Sequence, residues 1–202
     1  VSRKTSKERK KEIVKATLEL VGEEGLGSLR TSQIADRVGF SEAALYKHFS
    51  DKKEVLRAAI DTAGEDLMEA LIGSIEGSYL DDNLYKLKKA FETHMRFIRD
   101  HPGVTRLLFS EEVHVADEDL RHDLFEIITG YKNFIVGLLE RAIEEGEVRE
   151  DLDLDDAFTL YFGMIQSQIL FWSLSGRKMS LESQVDDLWN LYIKVVEKEK
   201  RK

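Results

Sequence analysis

Residues 31–49 read TSQIADRVGFSEAALYKHF. Ile34, Ala35 and Val38 recur at helical spacing, Gly39 interrupts the run, and Leu45 and Phe49 resume it. Thr31 or Ser32 offers a cap for a short helix before the glycine, and Ser41 offers one for a further helix over Glu42 to Phe49. Gly39 supplies the turn between them. Two short helices joined by a glycine turn read as a helix-turn-helix. Its second helix presents Ser41, Glu42, Tyr46, Lys47 and His48, while Leu45 and Phe49 face inward. Such a face suits the DNA major groove, which admits a helix by width. Ala43 and Ala44 near its start let the backbone come close to base edges or a thymine methyl.

Working outward, Ile13, Ala16, Leu20 and Val21 form a preceding helix that Gly22 and Gly25 stop. Val1 to Lys11 carries six Lys/Arg and no apolar anchor after Val1, which predicts a mobile basic arm, either a solvated tail or one that supplements phosphate or minor-groove contacts. Downstream, Asp51 and Glu54 have the spacing of a capping box for a fourth, long helix. Leu56, Ala59, Ile60, Ala63, Leu67 and Leu71 continue its apolar stripe toward Gly77, and this helix links the two domains. Lys52 at its start and Thr31 are placed to reach phosphates.

After a break over Tyr79 to Asn83, a helix through Leu84, Leu87, Phe91, Met95 and Ile98 ends at Asp100-His101-Pro102-Gly103, where proline disfavours helical geometry in the preceding residue. A short helix follows over Val104 to Phe109, a long one over Asp119 to Glu145, an acidic linker over Glu147 to Leu154, then helices over Asp155 to Ser175 and Ser180 to about Lys198. The reading is all-α with about nine helices and no strand. Residues 1–57 form a three-helix DNA-binding domain, and residues 58–202 a helical effector-binding and dimerisation domain. Pro102 is the single proline, as long helices rather than short strands and turns require.

The net charge is −9 over 202 residues, which by itself argues against a polyanionic partner. Its distribution reverses the argument. Residues 1–57 hold 13 Lys/Arg against 9 Asp/Glu, whereas the rest hold 17 against 30. Only the N-terminal quarter attracts phosphate, and an acidic remainder turns the other end away from DNA. Cysteine is absent, no apolar run approaches membrane-spanning length, and no secretory leader is recognisable, so a cytoplasmic protein away from the membrane is expected. There is no glycine-rich phosphate loop, nucleophile elbow or helical His pair with an intervening glutamate, which argues against an enzyme. His94, His101, His114 and His122 are scattered along acidic helices, so neither metal nor cofactor is expected.

Ile34-Ala35, Gly39-Phe40-Ser41, Leu45-Tyr46-Lys47-His48-Phe49, Lys52 and Leu56 resemble the signature of the TetR family of transcriptional regulators. The resemblance extends from Arg9, Ile13 and Ala16 through Gly25 and Thr31 to Leu56, about a quarter of the chain; Thr17 and Val21 stand where the family often has alanine and phenylalanine. It implies phosphate contacts from Thr31, Tyr46, His48 and Lys52 and base reading by Ser32, Glu42, Ala43 and Lys47, with Gln33, Ser41 and Ala44 completing the DNA-facing set. Glu42 stands apart. A carboxylate near phosphates is unfavourable unless it accepts a hydrogen bond from cytosine, pairs with a cation, or serves to reject wrong sequences.

The last two helices carry Tyr161, Phe162, Ile165, Ile169, Phe171, Trp172, Val185, Leu188, Trp189, Tyr192 and Val196, more than one face can bury. Together with the resemblance this implies a homodimer closed by a four-helix bundle, bound as a repressor to a palindromic double-stranded operator. Phe91, His94, Met95, Phe109, Phe125, Tyr131, Phe158, Phe162 and Gln166 are candidate lining for a small hydrophobic effector. An alternative stays open. Ser41 to Phe49 with His101-Pro102-Gly103-Val104-Thr105-Arg106 resembles the nucleoid-occlusion branch of the family, whose members are DNA-dependent adaptors for protein partners.

Overall fold

The computed structural model describes residues 5–76 and 82–198. Among the described residues the chain forms nine α-helices: α1 Ser6–Glu24, α2 Thr31–Val38, α3 Glu42–Leu45, α4 Lys52–Ile75, α5 Asn83–Asp100, α6 Pro102–Leu108, α7 Glu118–Glu144, α8 Leu154–Leu174 and α9 Val185–Val196. A 3₁₀ turn at Leu26–Ser28 and a π turn at Glu112–Ala116 complete the elements. No described helix is long and apolar enough to cross a membrane.

Two compact units result. The first joins residues up to Asp66 with His101–Ile127, and the second joins Leu67–Asp100 with the chain from Ile128. The boundary expected after Arg57 therefore falls inside the first unit, and α6 with the start of α7 is grouped with the helix-turn-helix. In the first unit, α1 packs on α2 and α6. Ile13 and Val21 of α1, Ile34 of α2, Leu45, Val55, Ile60 and Leu107 are fully enclosed. Burying an aliphatic side chain of this size contributes roughly 1.5–3 kcal/mol, and these side chains hold the short α2 and α3, which are too brief to be stable alone.

The sequence reading needs correction at several helix ends, and α1 runs through Gly22 to Glu24. The expected basic arm is helical from Ser6, because Thr5 and Glu8 form a capping box: the Glu8 amide donates to Thr5 Oγ1 at 3.2 Å and the Thr5 amide donates to Glu8 at 2.6 Å. Residues 1–4 of that arm, Gly77 and residues 79–81 of the next break lie outside the described residues. The second change is in α3, which ends at Leu45; beyond it Tyr46 and Phe49 bond four residues back but Lys47 and His48 only three, the tightening common at helix ends. The third is in α9, which starts at Val185 and not at Ser180. Gly176 and Arg177 take left-handed backbone, and Ser175 Oγ accepts the amides of Lys178 and Met179, both at 3.2 Å, so the chain is turned rather than helical there.

In the second unit α5, α8 and α9 pack on one another. Phe91, Met95, Ile135, Tyr161, Ile165 and Tyr192 are buried. The tyrosine hydroxyls keep partners: Tyr161 donates to the Leu87 carbonyl at 3.4 Å and Tyr192 to the Ala157 carbonyl at 3.3 Å. The acidic linker is also ordered. Glu147 accepts the amides of Asn83 and Leu84 at the start of α5, and Val148 forms an antiparallel bridge with Glu197 beyond α9.

Candidate nucleic-acid interface and effector region

Gly39 ends α2 in left-handed backbone at φ 74°, with the Phe40 amide donating to the Ala35 carbonyl at 2.8 Å. A side chain at that φ is strained, so the glycine is what permits so tight a turn. Ser41, in extended backbone, accepts the Ala44 amide at 3.2 Å and starts α3. The cap of α2 differs from expectation: Arg30 holds that position, its amide donating to Gln33 Oε1 at 2.8 Å, and Thr31 is the first helical residue.

With Leu45 and Phe49 buried, Ser41, Glu42, Ala43, Tyr46 and Lys47 are exposed, as is Ser32 on α2, while Ala44 and His48 are half-buried. Three residues of the expected set are joined directly. Thr31 donates its hydroxyl to Glu42, and Tyr46 donates its own to Thr31 Oγ1 at 3.2 Å. Lys52 donates to the Leu29 carbonyl at 2.8 Å, which fixes the ammonium beside the start of α2. Gln33 is turned toward α1, its amide donating to Glu24 at 2.9 Å.

Residues outside the expected DNA-facing set brace this face. Ser6 Oγ lies 3.2 Å from His48 Nδ1, Arg9 sits 4.7 Å above the Phe40 ring, and Phe40 stacks on His48 with centroids 6.5 Å apart. Lys10 lies 4.9 Å over Phe49. The first turns of α1 thus clamp the helix-turn-helix through its basic side chains. Thr5-x-x-Glu8 was the available signal. Lys53 and Arg57 on α4 are committed elsewhere: Lys53 contacts Asp117 at 2.9 Å and Asp119 at 2.7 Å, and Arg57 contacts Asp123 at 2.6 Å. The hydrogen bond to Asp119 comes first in holding the Lys53 ammonium above its ordinary range.

Candidate effector residues divide. Phe91, His94, Met95, Tyr131 and Phe158 are buried in the second unit, with Phe162 and Gln166 half-buried on α8. His94 Nδ1 lies 3.1 Å from the Tyr131 hydroxyl. Tyr131 meets Phe158 and Phe162 at 6.1 and 5.9 Å, and those two rings stack at 5.5 Å. Burial pushes the His94 pKa down to about 4 and raises Tyr131 well above the ordinary phenol range, so both are neutral near pH 7. Gln166 Oε1 is shielded from solvent and has no hydrogen-bond partner among the described residues. Phe109 and Phe125, by contrast, belong to the first unit and are 55% and 65% exposed. Their helical spacing identified a face but not what covers it. No three His, Cys, Asp or Glu among the described residues are grouped to hold a metal ion.

The apolar excess of α8 and α9 resolves into two faces. Tyr161, Ile165, Ile169, Trp172, Val185, Trp189, Tyr192 and Val196 are core. Leu160, Leu170, Phe171 and Leu174 on α8 and Leu191 and Val195 on α9 are exposed, Leu174 by 75%.

Residues 13–59 match the family model of bacterial regulatory proteins of the tetR family, and residues 65–195 match that of the C-terminal region of YsiA-like proteins. The chain belongs to the TetR family. It is a DNA-binding transcriptional regulator by that membership. Among TetR-fold relatives, the fatty acid metabolism regulator protein of Bacillus subtilis (strain 168) is 25% identical over 185 residues, 90% of this chain and 92% of that one. The nucleoid occlusion factor SlmA of Vibrio campbellii (strain ATCC BAA-1116) is 32% identical over 150 residues, 72% of this chain and 74% of that one. Of solved structures, the fatty acid degradation regulator FadR from Bacillus halodurans superposes with a TM-score of 0.82 at 20% identity, covering 95% of this chain and 97% of that one. The transcriptional regulator FadR from Bacillus subtilis, in complex with stearoyl-CoA, gives 0.80 at 23% identity, covering 91% and 97%.

Proposed function

We propose that this TetR-family chain is a cytoplasmic repressor that binds a palindromic operator as a homodimer and leaves it when an acyl thioester or a similar long apolar effector binds. Residues 1–57 read DNA, and residues 58–202 hold the effector and the dimer interface. It acts by binding rather than catalysis. The observation that carries the reading is the exposed Glu42–Lys47 face, anchored from beneath by Leu45 and Phe49, with Lys52 beside it. Thr31, Tyr46, His48 and Lys52 supply phosphate contacts, and Ser32, Glu42, Ala43 and Lys47 face the bases, with Gln33, Ser41 and Ala44 supporting them.

The exposed apolar stripe Leu160, Leu170, Phe171, Leu174 with Leu191 and Val195 supports the dimer, because so large an apolar face on one helix pair favours a matching face. Two reading heads about 34 Å apart then contact successive turns of the duplex. The effector region rests on the aromatic group Phe91, Tyr131, Phe158 and Phe162, with His94 and Gln166 as its polar handles. Apolar walls with few polar groups suit an aliphatic chain, and the stearoyl-CoA complex of the similar Bacillus subtilis structure names the class to try first. Differential affinity of the effector for the DNA-free state shifts the population away from operator.

Selection of bound genomic fragments, followed by gel-shift titration with and without stearoyl-CoA, tests the reading. Binding to a palindromic fragment that weakens steeply with salt and is lost with stearoyl-CoA supports it; salt-independent or absent DNA binding sinks it. The similarity to SlmA supports a second reading, a DNA-dependent adaptor for a protein partner. That reading expects operator binding indifferent to acyl thioesters and a partner recovered only with DNA present.

A further inference from the structure

The hydroxyl groups assigned to phosphates are already engaged in the free protein. Tyr46 donates to Thr31, and Thr31 donates to Glu42, so both protons run in one direction and end on a carboxylate that only accepts. Thr31 opens α2, Glu42 opens α3 and Tyr46 follows it by one turn, which makes the chain a strap across the helix-turn-helix. Glu42 and Tyr46 are exposed.

A phosphate that takes the Thr31 proton must displace Glu42. The carboxylate is then left without its donor, in the negative potential of the DNA backbone. Guanine and thymine worsen this, since their major-groove edges present the acceptors O6, N7 and O4. Only the exocyclic amines of cytosine and adenine offer a hydrogen. Adenine places the N7 acceptor beside its amine and so repels the second carboxylate oxygen, whereas cytosine presents its N4 amine next to an apolar ring edge. Ala43 and Ala44 keep the approach to the base open.

We infer that Glu42 makes the phosphate contact of Thr31 and Tyr46 conditional on a cytosine in the half-site: at the right base the carboxylate exchanges its Thr31 donor for the cytosine amine, and at other bases it holds the hydroxyls back. The inference rests on residues 31–52 being the DNA face. Glu42 is then a specificity-determining residue that lowers affinity everywhere except at its own site.

The test compares wild type, Glu42→Ala and Glu42→Gln. Half-sites are selected from a randomised duplex library, and affinity is measured on the selected operator and on scrambled duplex at one salt concentration. Thermal midpoints close to wild type are expected for both variants because the side chain is exposed. Wild-type half-sites should share one cytosine, whose replacement by thymine weakens wild-type binding about 10- to 100-fold and Glu42→Ala binding less than about 3-fold. Scrambled duplex should bind Glu42→Ala about 10-fold tighter than wild type. Glu42→Gln should move the preference to adenine, which a glutamine amide matches with a donor and an acceptor. A base preference unchanged in both variants, or scrambled DNA bound no tighter by Glu42→Ala, overturns the inference while leaving the DNA face intact. Absence of any wild-type DNA binding overturns both.

Discussion

A β-carbon on Gly103 would stand 1.9 Å from the carbonyl oxygen of Leu18. The same point lies 3.2 Å from the Gly22 amide nitrogen, so α6 meets α1 backbone to backbone at a pair of glycines. Neither contact is with a side-chain end that could swing aside. Gly103→Ala should therefore force the helices apart and cost about 3 kcal/mol or more, while Gly22→Ala, whose β-carbon would sit 3.2 Å from the Gly103 nitrogen, should cost about 1 kcal/mol. Urea unfolding of the two variants measures the difference, and equal small losses would refute the close crossing.

His94 predicts a pH dependence. Its folded pKa is held near 4 by burial, below an ordinary 6.5. The unfolded chain then binds a proton that the folded chain refuses, so this contribution to stability is complete above about pH 6.5 and is lost as pH falls toward about 4. The loss reaches about 3 kcal/mol at the lower end. His94→Gln, uncharged at every pH, should show a flatter profile of unfolding midpoint against pH over that window. Parallel profiles for the two proteins would contradict it.

The Lys52 ammonium is held by a neutral group, the Leu29 carbonyl at 2.8 Å. Lys52→Ala should weaken operator and scrambled DNA by similar factors and reduce the slope of log affinity against log salt by about one. Gel-shift titrations across a salt series read both. A variant that loses affinity for one sequence only would show that Lys52 reads bases.

Phe171 and Leu174 are 56% and 75% exposed on one face of α8. Charges placed there cost little within a monomer but are incompatible with a buried apolar interface. Phe171→Asp with Leu174→Glu should leave helicity unchanged, shift sedimentation to the monomer and reduce operator affinity by at least about 100-fold. A variant that stays dimeric would assign the interface to another face.

The helices were legible in the residues because their apolar positions repeat, and Asp51 with Glu54 correctly marked the start of α4: the Glu54 amide donates to Asp51 at 2.8 Å. Thr5 and Glu8 carried the same kind of signal, but six basic residues among the first eleven suggested an arm and obscured it. Leu45 and Phe49 were readable as anchors, and so the polar face opposite them was too. The Thr31, Glu42 and Tyr46 relay was not, since it joins residues brought together only by the angle between two helices. Phe109 and Phe125 stand apart from the buried candidates for a related reason. A periodic pattern states which residues share a stripe, and the partner of that stripe is decided by tertiary contacts far away in the chain. Grouping of α6 with the helix-turn-helix likewise depends on two glycines 81 positions apart, Gly22 and Gly103.

That grouping bears on how such a chain can be recombined. The first unit is assembled from two separated stretches, up to Asp66 and His101–Ile127. A chimaera that borrows only the N-terminal segment would pair α1 with a foreign α6, and any residue other than glycine in register with Gly103 would place a side chain where two backbones now touch. Exchange of DNA specificity between relatives is therefore constrained as a matched set, with residues 101–127 travelling alongside the helices they support.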